Sequence, residues 1–265
     1  MNRVREKLEE LSAKGKKALI PFLVAGAPSL TYTRRLIPLL AEQGADLIEI
    51  GVPFSDPLAD GPVIQAAAQQ ALEEGFRLSH LFQVVAEVRA EVSVPLVVLI
   101  YYNLLLQYGV EDFIREASRV GINGLVIPDL PPEEAGELLE AASAFEVAVN
   151  FLVTPTTSSR RAKMIAKHST GFIYLVSVRG VTGERTAFSW ELPDLIKRVQ
   201  DQAGQPVAVG FGISRPEQAK EIAALADGVI VGSAVVKRIT KEPFEVVATR
   251  VGKFIRELRK AIDGV

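Results

Sequence analysis

The chain has no cysteine, which excludes a disulfide framework, a thiolate nucleophile and any metal site built on sulfur. Histidine is almost as scarce. His80 and His168 are the only two, too few for a His-rich metal centre and poor material for a Ser-His-Asp triad, so no metal is expected. Charge of one sign is missing as well: 30 Lys and Arg stand against 32 Asp and Glu, a net charge of -2. Without a basic field, neither nucleic acid nor an anionic membrane is an expected partner. No apolar run reaches bilayer-spanning length. The charged start does not read as a secretory signal either, because Glu6, Glu9 and Glu10 interrupt it, and a cytoplasmic location is expected.

What is present suits an ordinary soluble globular chain. Hydrophobic residues make up 48% and charged residues 23% of 265 residues, enough to bury a large core. Met1 to Lys17 reads as an amphipathic helix, with Val4, Leu8 and Leu11 at spacings of four and three. After it, short β-branched runs alternate with segments of helical periodicity. The runs are Ala18–Val24, Asp46–Gly51, Pro95–Tyr101, Gly124–Ile127, Ala148–Val153, Phe172–Ser177, Val207–Gly210 and Gly228–Val231. Helices are expected near Tyr32–Gln43, Leu78–Glu91, Val110–Val120, Pro132–Phe145, Arg160–Lys167, Leu192–Gln202, Arg215–Leu225 and Pro243–Ile262. Eight strand-helix units in regular alternation predict an α/β fold, a (β/α)8 TIM barrel with an extra N-terminal helix. No linker or low-complexity tract divides the chain, so residues 1–265 read as one domain.

Two connections exceed what a simple unit needs, Val52–Gly75 after the second strand and Val178–Trp190 after the sixth. Both fall at the carboxyl ends of strands, the catalytic face of such barrels. Glu49 lies among apolar neighbours in the second strand, where its side chain is expected to point inward. Desolvation there raises a carboxyl pKa, which suits a group that both gives and takes a proton, although a structural glutamate held by backbone or an internal salt bridge has the same pattern. The loop that follows, Val52-Pro53-Phe54-Ser55-Asp56-Pro57-Leu58-Ala59-Asp60-Gly61-Pro62, is stiffened by three prolines. Asp60 has two readings, the N-cap of a helix Val63–Leu72 or the partner of Glu49 in an acid/base pair; Asp56 reads equally as a turn residue. Gly210-Phe211-Gly212-Ile213-Ser214 and Gly232-Ser233-Ala234 each end a strand just before a helix. Glycine-bearing turns after the last two strands are where barrels of this kind hold a phosphate. Gly180-Val181-Thr182-Gly183-Glu184-Arg185 has the composition of a closing lid. Tyr101, Tyr102, Asn103 and Asp129 either line the mouth or cap loops. Trp190 reads as packing, Lys14, Lys16 and Lys17 as a solvated face, and His168 as a dipole contact at a helix end.

The run Ile48-Glu49-Ile50-Gly51-Val52-Pro53-Phe54-Ser55-Asp56-Pro57-Leu58-Ala59-Asp60-Gly61-Pro62-Val63-Ile64-Gln65 resembles the signature segment of the tryptophan synthase alpha subunit family. Pro21-Phe22, Tyr101 with Asn103, Pro128-Asp129, Gly180-Val181-Thr182-Gly183, Gly210-Phe211-Gly212-Ile213 and Gly232-Ser233-Ala234 follow in the family's order, so the resemblance spans essentially the whole chain. It implies a lyase that cleaves indole-3-glycerol phosphate to indole and glyceraldehyde 3-phosphate, a retro-aldol step in tryptophan biosynthesis that needs no cofactor in this chain. Glu49 would then protonate the indole ring carbon and take a proton from the side-chain hydroxyl, while Asp60 handles the indole N–H. Phe22, Ile64, Tyr101, Val126 and Tyr174 match positions around the substrate, Thr182 the lid residue that orients Asp60, and Gly183, Gly212, Gly232 and Ser233 the phosphate cradle. The resemblance also implies a partner, a pyridoxal phosphate-containing beta subunit that receives indole through a tunnel in an alpha2beta2 tetramer, with Asp56 and Pro57 at the contact. A stand-alone indole-releasing lyase and a non-catalytic allosteric partner of beta are the alternatives. The sequence departs from the family's habit at Ala27, Ile100 and Leu104.

Overall fold

The computed structural model describes residues 2–176, 192–210 and 212–265. Nine parallel strands form one sheet: β1 (Ala18–Val24), β2 (Ile48–Gly51), β3 (Leu96–Leu99), β4 (Gly124–Val126), β5 (Ala148–Asn150), β6 (Leu152–Val153), β7 (Ile173–Val176), β8 (Val207–Gly210) and β9 (Gly228–Val231). Their order is β5-β4-β3-β2-β1-β9-β8-β7-β6. The two ends of that order, β5 and β6, are halves of one extended run separated only by Phe151, so the sheet curls into a barrel whose seam lies at this residue.

The seam is bridged by a side chain. Asn150, fully buried, donates from Nδ2 to the Leu125 carbonyl at 2.9 Å and accepts the Phe172 amide at Oδ1 at 2.8 Å. Beyond it, the Phe151 carbonyl accepts the Tyr174 amide at 3.0 Å. An amide side chain thus occupies both of its functions where the ladder of backbone bonds is broken.

Side chains alternate across each strand and so fill two layers. Ile48 and Ile50 of β2 join Val98, Leu125, Val149 and Val209 in the outer layer beneath the helices. Leu47, Val97, Val126, Ala148, Phe172, Tyr174, Ala208 and Ile230 pack inside the barrel. The same inner cluster takes in Val4, Leu8 and Leu11, the buried face of the N-terminal helix Arg3–Ala13. That helix is capped by Asn2, whose side chain accepts the Arg5 amide at 2.9 Å and donates to the Thr170 carbonyl at 3.1 Å. Val4 meets Gly124 and Gly171 closely enough that a Cβ at either would lie 3.1 Å from one of its methyl groups. The extra helix therefore closes the barrel's amino-terminal end.

At the other end of the chain, the helix Phe244–Ile262 is fastened to the barrel by Arg259, which pairs with Asp46 at 2.8 Å and also donates to the Lys17 carbonyl. Asp46 in turn accepts the Leu19 amide at 2.9 Å. A part-buried ion pair whose oxygens also take backbone donors is held in one geometry rather than shared with water.

Several expected boundaries shift. The strand expected over Pro95–Tyr101 stops at Leu99, and a short helix, Tyr102–Tyr108, begins at once. The segment expected as one helix over Pro132–Phe145 divides into a 3-10 turn, Pro132–Glu134, and a helix, Gly136–Ala144. The expected strand Ala148–Val153 is the interrupted one. A helix after the long second loop runs over Pro62–Glu73, close to the expected Val63–Leu72. Among the described residues no helix is long and apolar enough to cross a membrane.

Candidate active site

Several of the residues singled out from the sequence come together at the carboxyl-terminal mouth of the barrel, and others do not. Phe22 on β1 is in register with Glu49 on β2, and Glu49 with Val97 on β3. Because Ile48 and Ile50 face the helices, Glu49 faces the interior, where it is 1% exposed. Among the described residues neither of its carboxylate oxygens has a hydrogen-bond partner. The structural alternative, a glutamate satisfied by backbone or a salt bridge, therefore has no support in the described contacts.

Burial pushes the Glu49 carboxyl up to about 8, and the nearby charge of Asp60 adds to the effect. Tyr174, buried on β7, has its hydroxyl raised well above the ordinary value by burial and then by the charges of Glu49 and Asp60, so the three groups lie near enough to feel one another's charge. Its ring lies against Gly210, where a Cβ would stand 2.6 Å from the hydroxyl oxygen. Val126 belongs to the same interior cluster as Tyr174, and Leu99 packs at its edge.

Asp60 is buried at 7% exposure, although its loop is otherwise largely at the surface. It does not cap the helix that follows: the N-cap is Gly61, with no side-chain cap bond. Its carboxylate instead accepts the Tyr101 hydroxyl at 3.3 Å, and that hydroxyl accepts the Ala59 amide at 3.0 Å. Burial raises the Asp60 carboxyl to about 6, with the Tyr101 bond acting to lower it. Tyr101 is clamped on its other side by Phe54, whose ring stacks on it at 4.8 Å between centroids. One tyrosine thus ties the stiff loop to the barrel at the aspartate. Of the two readings of Asp129, mouth residue or loop cap, the contacts match the second: it accepts the Tyr102 amide with both oxygens, at 2.9 and 3.2 Å, at the start of the short helix after β3.

Ile64, half buried on the helix after loop two, packs with Phe22, Val24 and Ala68. A Cβ at Gly232 would meet Ile64 at 3.8 Å and Phe22 at 3.9 Å, so this glycine joins the same wall. Gly232 precedes the four-residue helix Ser233–Val236, and Ser233 is exposed. Gly212 adopts a φ of 79°, a conformation few other residues tolerate, and is also exposed. Asp56 and Pro57 sit on the outer part of loop two beside Leu58, which is 93% exposed, and the Pro57 carbonyl accepts the Asp60 amide at 3.0 Å. Thr182 and Gly183, with the rest of the expected lid and Trp190, lie outside the described residues, as does Phe211.

Phe54 and Asn150 escaped the sequence reading. An aromatic residue between two prolines of a stiff loop, and a lone amide inside an apolar strand, were the available signals.

With that geometry in view, comparison with known proteins is informative. The family model described as tryptophan synthase alpha chain matches residues 8–263. The tryptophan synthase alpha chain of Prochlorococcus marinus is 45% identical, over 99% of this chain and 95% of its own. That of Synechocystis is 46% identical over 99% of this chain and all of its own. A solved structure of Mycobacterium tuberculosis tryptophan synthase superposes with a TM-score of 0.91 at 36% identity, covering 98% of both chains.

Proposed function

Since the chain belongs to the tryptophan synthase alpha chain family, and so cleaves indole-3-glycerol phosphate to indole and glyceraldehyde 3-phosphate in tryptophan biosynthesis, we propose that Glu49 and Asp60 divide the proton transfers of that reaction. The observation that carries this reading is a pair of neighbouring buried carboxyls with separated acidities, about 8 for Glu49 and about 6 for Asp60. Near neutral pH the first keeps its proton and the second is ionised.

A protonated Glu49 delivers its proton to the indole ring carbon that bears the glycerol side chain, while ionised Asp60 takes or steadies the N–H as the ring becomes its indolenine tautomer. Glu49, now a carboxylate, withdraws the proton of the side-chain hydroxyl. The carbon–carbon bond breaks, its electron pair restores the aromatic ring as Asp60 gives the proton back to the ring nitrogen, and the aldehyde leaves. Tyr101 holds Asp60 in place through its hydroxyl and, with Phe22, Ile64, Val126 and Tyr174, surrounds the aromatic and glycerol parts. Thr182 orients Asp60, and Gly183, Gly212, Gly232 and Ser233 take the phosphate, an assignment supported by the family's order of motifs and by the glycine turns after β8 and β9.

The alpha chain of this family carries no cofactor; pyridoxal phosphate sits in the beta subunit, which is its partner. Asp56 and Pro57 belong to the surface that meets beta, a reading supported by the exposure of Asp56 and by the bare side chain of Leu58 next to the half-buried Pro57. The continuous sheet supports reading residues 1–265 as one domain, and the chain works in the cytoplasm. Two well-placed buried carboxyls have no use in a purely regulatory copy.

The test is release of indole from indole-3-glycerol phosphate by the purified chain, with and without a beta subunit. Glu49→Gln and Asp60→Asn are expected to bind substrate and to lose kcat by about 100-fold or more. Either variant turning over at the native rate removes that residue from the chemistry.

A further inference from the structure

Gly51 follows Glu49 by two residues on β2, so both face the barrel interior, with Gly51 nearer the mouth. It is not among the glycines with positive φ, so the backbone conformation does not call for glycine. The space does. A Cβ at Gly51 would stand 2.8 Å from Phe22 Cε2 and closer still to Cζ, with Cε1 at 3.5 Å. The tip of the Phe22 ring therefore fills the volume that any side chain at this position would need.

Phe22 and Glu49 are register partners on adjacent strands, while Val24 is the partner of Gly51. The ring accordingly starts at the level of Glu49 and its tip reaches the level of Gly51, towards the mouth. Phe22 is 3% exposed and Glu49 1%. The root of the ring, Cβ and Cδ1, faces Gly232, where a Cβ would lie 3.9 Å from both and 3.8 Å from Ile64 Cδ1.

We infer that Gly51 is a positioning residue for the cleavage: by leaving its side-chain volume to the Phe22 ring, it keeps the ring over Glu49 and out of the space that receives the aromatic half of the substrate. The inference rests on the assignment of Glu49 as the acid. A methyl group at position 51 drives the ring back on the order of 1 Å to restore ordinary van der Waals separation. The displaced ring narrows the pocket, and water reaches a carboxyl that depends on dryness for its proton.

The experiment measures steady-state cleavage of indole-3-glycerol phosphate across pH, with beta present, for the native chain, Gly51→Ala, Phe22→Leu and the double variant. Leucine lacks the outer ring atoms that meet Gly51. Gly51→Ala is expected to lower kcat/KM about tenfold with Phe22 in place and less than about twofold when added to Phe22→Leu. Phe22→Leu alone is expected to move the alkaline limb of the profile to lower pH, because it uncovers Glu49. Equal losses from Gly51→Ala in both backgrounds overturn the inference, since the added methyl then offends something other than the ring. An alkaline limb that stays put in Phe22→Leu overturns it as well. Circular dichroism and inorganic phosphate binding verify that each variant folds; if Gly51→Ala does not, the Phe22→Leu limb decides the question by itself. Glu49→Gln separates the two failures. Native activity in that variant refutes the acid assignment, whereas its inactivity alongside a fully active Gly51→Ala refutes only the seat.

Discussion

A buried carboxyl group is among the costliest side chains to place in an interior, and Glu49, with no hydrogen-bond partner among the described residues, is accommodated by keeping its proton. Activity needs that proton in place and Asp60 without one, and the signs follow. As pH rises through about 6, Asp60 ionises and the rate climbs; as it rises further through about 8, Glu49 ionises and the rate falls. A plot of kcat/KM against pH is therefore expected to be a bell between these values. Asp60→Asn should erase the acidic limb in whatever activity remains and draw the alkaline limb downward, because the charge that helps hold the Glu49 proton is gone. A flat profile from pH 5 to 9 would contradict the pairing. Glu49 was legible in the sequence because an acidic residue at an inward position of an apolar strand stands out. Asp60 was only half legible: a carboxylate ahead of Gly-Pro looks like a helix cap, and the bond that makes it something else comes from Tyr101, 41 residues away.

At the scale of elements, regular alternation was readable and its interruptions were not. The short helix Tyr102–Tyr108 follows a strand without a local cap of its own; Asp129, from the loop after β4, supplies the missing acceptor across 27 residues. Asp129→Ala removes that acceptor and is expected to cost about 1 kcal/mol in chemical denaturation. Tyr101 is the residue at the helix's N-terminus, so kcat should fall several-fold while the fold persists. An unchanged kcat would show that the cap and the tyrosine are independent. The break of the fifth strand at Phe151 was hidden for a similar reason. Its cause is the pairing of β5 with β4 and of β6 with β7, together with the Asn150 bridge, and long-range pairing leaves no local trace in an apolar run.

For the whole molecule, the count of strand-helix units was enough to anticipate the barrel, since each run is buried on both faces and alternates with an amphipathic segment. Closure at the seam and the placement of the N-terminal helix required the structure. The helix's periodicity showed that Val4, Leu8 and Leu11 share a face; it did not show that the face fills the barrel's base. Leu8→Ala, at a site 3% exposed, is expected to lower unfolding stability by about 2 to 5 kcal/mol, read from urea denaturation, and to leave KM near its native value because the site lies at the opposite end. A loss below about 0.5 kcal/mol would mean the helix only rests on the surface.

The stoppered base has a consequence for traffic. Among the described residues the base is closed, so the rim of the mouth is where substrate enters and product leaves. A partner meeting that rim through Asp56 and Pro57, as proposed, would sit over the opening. For a small apolar product this makes delivery a matter of plumbing rather than affinity, because the escape route and the receiving route are the same.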